Sequence, residues 1–162
     1  MRRVSSSRSE WEFYQPTKKH HQHGKQAIGK SRGGWTTKIH AGVDALGNPL
    51  RVLLTEGQIH DVTKAEELLD GFNPKMVLAD KAYDADYFLN AIRDVGAEPV
   101  IPPKSNRKEQ RDYDRHWYKD RNLVECFFNR IKQFRRIATR YEKLDRNYEA
   151  MLQIVCTLIW LA

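Results

Sequence analysis

YKDRNLVECFFNRIK, residues 118–132, decides how the rest of this chain is read. An α-helix turns about 100° per residue, so Tyr118, Arg121, Glu125 and Lys132 fall within an arc of about 60°, with Arg136 at its edge. Leu123, Phe127, Ile131 and Phe134 gather on the far side, where a core-facing stripe belongs. The spacing predicts one helix over residues 115–136. It buries an aromatic-aliphatic face and presents a lone carboxylate between cations on the other. Two readings fit that second face. One is a solvated surface with an Arg121–Glu125 pair at i, i+4. The other is a carboxylate that binds a metal beside cations that hold phosphates, which is what phosphodiester chemistry needs.

Outward from this helix, the chain of 162 residues is long enough for one domain with a real core. Its 28 basic and 21 acidic residues leave a net charge of +7, unevenly placed. Residues 1–40 hold nine Lys/Arg against two acids, residues 41–100 five against eleven, and residues 101–162 fourteen against eight. Basic ends around an acidic middle suit a protein that holds a polyanion on its ends and cations near its centre. Cys126 and Cys156 are too few for a disulfide framework or a Cys-based zinc site, and both read as reduced, packed thiols of a cytoplasmic protein. The N-terminus has no apolar segment of signal-peptide type. The apolar run Met151–Ala162 is too short to span a bilayer and reads as a buried terminal helix.

Alternation and β-branching predict strands over 36–43 and 50–55, joined by the turn Leu46-Gly47-Asn48-Pro49. Asp61 reads as the cap of a helix over 62–69, stopped by Gly71. A short apolar strand, 76–79, delivers Asp80. A helix over 84–95 follows, ended by Gly96, then a short strand at 99–102. Residues 105–115 form a basic loop, and a last helix covers 147–161, apolar nearly all round. Trp35, Trp117 and Trp160 read as core. The order is an α/β layer pattern. Asp80 ends an apolar strand, where open α/β sheets place their ligand sites, although a strand-end Asp also commonly caps the next turn. Asp84 and Asp86 read as a helix start, where negative charge is favourable.

The run 118–132 resembles the tyrosine-arginine-glutamate-lysine signature of DDE-type insertion-sequence transposases, in all four residues and all three spacings. GKSRGGWTTKIHAGVDALGNPLRVLLTEGQIHD (29–61), VLADKAYDADYF (77–88) and QFRRIATRYEKL (133–144) resemble the same family, so the likeness covers residues 21–162. The resemblance implies a ribonuclease H-like fold, a mixed sheet flanked by helices. It implies cleavage and strand transfer at insertion-sequence ends, using two Mg²⁺ or Mn²⁺ ions. Asp80 matches the family's second acidic residue and Glu125 its third, both metal ligands. Tyr118, Arg121, Lys132, Arg135 and Arg136 are then expected on DNA, with Arg140 extending the stripe and Lys30, Arg32 and Lys38 near a backbone phosphate. The implied partners are double-stranded terminal repeats and target DNA, with a homodimer as the working form. The implied location is the bacterial cytoplasm, at the nucleoid.

The chain departs from the family at its start. Relatives carry a first acidic residue on the first strand, shortly before a His-Gln-His run. His21-Gln22-His23 is kept, but FYQPTKKH precedes it, and no Asp occurs before Asp44. Glu10 and Glu12 are the earlier carboxylates, and the first strand would have to come from residues 10–15. The reading that follows has residues 1–17 as an atypical segment and 18–162 as a partial catalytic domain of a truncated copy. That copy is not expected to transpose alone. Two functions stay open: a metal-dependent transposase, or an inactive remnant that still binds DNA. A general basic nucleic-acid-binding protein is a third, weaker reading. His20, His21 and His23 read better as a local active-site or DNA contact than as a metal centre.

Overall fold

The computed structural model describes residues 2–7 as backbone, together with residues 26–31 and 34–162. Its sheet is mixed. The strands are β1 (Arg2–Ser7), β2 (Gly29–Ser31), β3 (Gly34–Asp44), β4 (Pro49–Glu56), β5 (Met76–Leu78) and β6 (Glu98–Val100). β3 pairs antiparallel with β4 on one edge and with β1 on the other. β1 then pairs parallel with β5, and β5 parallel with β6. Short β2 joins the start of β3. The β3–β4 hairpin turns where the sequence places it. The Asp44 carboxylate accepts from the Leu46 and Asn48 N–H groups at 2.8 and 2.9 Å, and Gly47 takes φ 85°.

The central strand was expected from residues 10–15; the one found is Arg2–Ser7. Residues 10–15, with Glu10 and Glu12, and His20, His21 and His23 lie outside the described residues, as does Arg32.

Helices cover both faces. α1 (Ala65–Leu69) and α2 (Asp86–Asp94) pack on one, with Leu68, Phe88, Leu89 and Ile92 in a cluster that includes Val77 and Tyr83. α3 (Arg115–Tyr118), α4 (Asn122–Lys132), α5 (Arg135–Ala138) and α6 (Asp145–Leu161) follow in the chain. Phe127, Ile131, Ile137 and Leu152 from the last three meet Ile39, Ala41 and Val43 of β3 in a second cluster. Strand side chains alternate between faces, so Val52 joins the second cluster while Leu53 packs on the first.

Several expectations shift. Asp61 opens a 3₁₀ turn, Asp61–Lys64, ahead of the short α1, and pairs with Lys38 at 2.7 Å. The expected 115–136 helix tightens to 3₁₀ at Lys119–Arg121 and ends at Lys132. Phe134 takes φ −84°, ψ 107°, so Arg135 and Arg136 sit on a separate turn. The buried stripe of α4 is Val124, Phe127, Phe128 and Ile131, rotated roughly 60° from the expected one. Phe134 and Cys126 are exposed. α6 is not buried all round: Ile154, Leu158 and Leu161 are exposed. Trp35, Trp117 and Trp160 are surface residues, and the Trp160 indole N–H donates to the Pro49 carbonyl at 2.7 Å.

Candidate functional site

Asp80 stands two residues beyond β5. Its carboxylate accepts from the Ala82 N–H at 2.8 Å and so caps the 3₁₀ turn Lys81–Tyr83. The capping and ligand readings therefore coexist in one side chain, because a carboxylate oxygen has several lone-pair sites.

α3 is opened by Asp114, which accepts from the His116 and Trp117 N–H groups. That cap sets the phase in which Tyr118, Arg121 and Glu125 emerge. The Arg121 guanidinium pairs with Glu125 and lies 5.9 Å from the centre of the Tyr118 ring. Tyr113 meets Tyr118 edge-on at 5.4 Å. Burial pushes the Tyr118 hydroxyl pKa up; Arg121 opposes this, and the Asp80 carboxylate adds to it. The Asp80 carboxylate is therefore among the charges felt at Tyr118. α4 also packs against β1 and β3, which brings the helix to the central strand.

Lys132 is exposed at the end of α4, seven residues from Glu125 and so about 10 Å further along the axis. Arg136 pairs with Glu142 at 3.0 Å on the following turn. No contact draws Lys132, Arg135 or Arg136 into the Tyr118–Arg121–Glu125 cluster among the described residues.

Arg140, expected on DNA, is 2 % exposed. It donates to the carbonyls of Gln26 (2.6 Å), Glu142 (2.9 Å) and Lys143 (3.1 Å) and to the Thr37 hydroxyl, and stacks 5.0 Å over Tyr148. Burial lowers its pKa. It is a structural residue. Asp84, expected at a helix start, is buried instead and holds the loop after β6. It accepts from the Lys104 N–H at 2.8 Å and pairs with Arg107 at 2.6 Å and with Arg111. Burial alone would raise its pKa, but these three donors outweigh it and hold the carboxyl below its usual range. Asp86, by contrast, does open α2.

Residues 8–160 match the transposase DDE domain family. The chain belongs to that family. This DDE transposase-family chain is 41 % identical over 128 residues to a Brucella ovis protein that carries the name of a transposase for insertion sequence element IS6501. That alignment covers 78 % of this chain and 98 % of the relative. It is 32 % identical over 135 residues to a Burkholderia cepacia protein named likewise for IS402, covering 76 % of this chain and 62 % of that relative. No solved structure matches. No helix among the described residues is long and apolar enough to cross a membrane.

Transposases act on DNA, and DDE transposases in general use divalent metal ions. Among the described residues, the donor set falls short of a two-metal centre. Among the described residues, no group of three or more His, Cys, Asp or Glu converges on one point. Asp80 is engaged by a backbone N–H and Glu125 by Arg121. Both keep lone pairs free for a metal, but among the described residues these two carboxylates alone are fewer ligands than a metal pair needs.

Proposed function

We propose that this chain engages insertion-sequence DNA as a ribonuclease H-like transposase domain, gripping duplex DNA with Tyr118, Arg121 and Lys132. We further propose that its metal-dependent cleavage is deficient. The strand order supports the fold reading: three antiparallel strands, β4-β3-β1, continue into the parallel strands β5 and β6.

The observation that carries the functional reading is the register of β1. Arg2 pairs with Val77 and Arg3 with Leu78. Carried two residues on, that register sets Ser5 level with Asp80. The strand reads RRVSSS and holds no carboxylate, so β1 supplies no third acidic ligand. The cations do not depend on that ligand. Arg121 offers a bidentate fork and Lys132 a point charge to phosphate oxygens, while Tyr118 can stack or hydrogen-bond. Such contacts position DNA without reading its sequence. The competing reading, full cleavage and strand transfer with Asp80 and Glu125 holding Mg²⁺ or Mn²⁺, rests on kinship with the family.

The test pairs duplex binding with plasmid nicking in Mg²⁺ and in Mn²⁺. We expect duplex binding that weakens in Arg121→Ala and Lys132→Ala, no nicking, and no calorimetric metal binding that Asp80→Ala removes. Ser5→Asp is expected to gain metal binding. Nicking by the unaltered chain that disappears in Asp80→Ala or Glu125→Ala would overturn the cleavage-deficient reading.

A further inference from the structure

A cavity of about 450 Å³ opens beside the Asp80 turn, lined among others by Lys30, Lys38, His60, Asp61, Ala82 and Lys104. Five separate segments supply these residues: β2, β3, the turn after β4, the turn after β5 and the loop after β6. Ala82 joins the cavity directly to the candidate site, since its N–H holds the Asp80 carboxylate.

The walls are built rather than incidental. Lys38 donates to the Ile59 carbonyl at 2.5 Å and pairs with Asp61 at 2.7 Å, which fixes the turn after β4. Gly57 lets that turn close on β3: a Cβ there would lie 1.8 Å from the Thr36 hydroxyl oxygen. The Lys104 backbone is tied to buried Asp84, itself held by Arg107 and Arg111. Lys38 is neutralised by Asp61. Lys30 and Lys104 have no carboxylate within 4.0 Å among the described residues. Among the described residues, the cleft therefore carries two ammonium groups without a carboxylate partner and a histidine on a pinned frame, which favours a polyanion over a neutral ligand.

We propose that this cleft binds the sugar-phosphate backbone of duplex DNA next to the phosphodiester at Asp80, with Lys30 and Lys104 each on a phosphate. The assignment rests on the DNA-engaging function proposed above and extends it to a second contact zone, separate from the Tyr118–Lys132 face. The cleft is joined to Asp80 through Ala82, whereas Tyr118, Arg121 and Lys132 are not among its lining residues.

The experiment measures binding of a short labelled duplex by fluorescence anisotropy across a series of salt concentrations. It compares the unaltered chain, the Lys30→Gln/Lys104→Gln double variant, and Arg121→Gln/Lys132→Gln. Each lost phosphate contact lowers the slope of log K against log salt by about 0.9. The cleft variant is expected to lose about two in slope and roughly 10-fold to 100-fold in affinity at about 0.1 M salt, with unchanged circular dichroism and melting temperature. A folded cleft variant that binds as tightly and with the same slope as the unaltered chain overturns the cleft alone. No duplex binding by the unaltered chain overturns the DNA-engaging function and the cleft with it. Stabilisation by inorganic phosphate that only the cleft variant loses, with the duplex slope unchanged, assigns a small-anion pocket and overturns the DNA assignment.

Discussion

His40 shows what a single residue in this fold does with its surroundings. It lies in the middle of β3, fully buried, with Nε2 2.7 Å from the Thr55 hydroxyl oxygen. Burial drives its pKa down to about 4; Asp61 opposes the fall, and Lys38 and Lys64 reinforce it. An unfolded histidine titrates near 6.5. Between pH 6.5 and 4 the unfolded chain takes up a proton that the folded chain refuses, so stability is lost as pH falls through that window. The loss is on the order of 3 kcal/mol. Thermal melts from pH 7 to pH 4 are expected to show it, and His40→Gln, which keeps a partner for Thr55 but does not titrate there, should flatten the profile. An unchanged slope in that variant would assign the acid sensitivity elsewhere. Asp84 acts in a lower window: its depressed pKa stabilises the fold above the ordinary carboxyl range and is lost as pH falls through it. Single residues were unevenly legible in the sequence. Asp80 and Glu125 stand out because a carboxylate at a strand end or between cations at helical spacing is a pattern. The burial of Asp84 and Arg140 is not, since a charged residue in a polar stretch looks solvated until its partners from distant segments are known.

Elements were legible where local chemistry decides them. The β3–β4 hairpin, β5, α2 and the glycine stops at Gly71 and Gly96 follow from alternation, turn residues and positive φ, here 71° and 73°. The phase of α4 was not. Leu123, Phe127 and Ile131 alone suggest one buried stripe, but Val124 and Phe128 offer an equally apolar one, and the sheet selects the second. The break at Phe134 was hidden too, because nothing in QFRRIA departs from helical composition. The loop after β6 has no periodicity of its own, and its order comes from Asp84. Asp84→Asn keeps the volume while removing the charge that holds Arg107, Arg111 and the Lys104 N–H. Breaking such a pair is expected to cost about 3 kcal/mol, read from the urea midpoint. Amide exchange over residues 104–111 should rise with it. If exchange there stays at its original rate, the loop is held by something other than Asp84.

On the scale of the whole molecule, the two apolar clusters lie on opposite faces of one sheet, and polar ties join segments that the sheet does not. Arg140 is the most connected of these. It links Gln26, ahead of β2, to β3 through Thr37, to the segment before α6 through Glu142 and Lys143, and to α6 itself through Tyr148. A guanidinium suits this place because its five donors leave in a fixed plane and can satisfy several carbonyls at once. Lysine cannot reproduce that fork. Arg140→Met keeps much of the stem but strands those acceptors in a buried setting. The expected loss is about 3–5 kcal/mol, a large share of the roughly 5–15 kcal/mol that holds a domain of this kind together. Arg140→Lys should fall between the two. Because the tie joins Gln26 and β3 to the terminal helix α6, unfolding of Arg140→Met should remain one transition, shifted as a whole. A separate early transition confined to α6 would show instead that the terminal helix is bound to the sheet independently of this arginine.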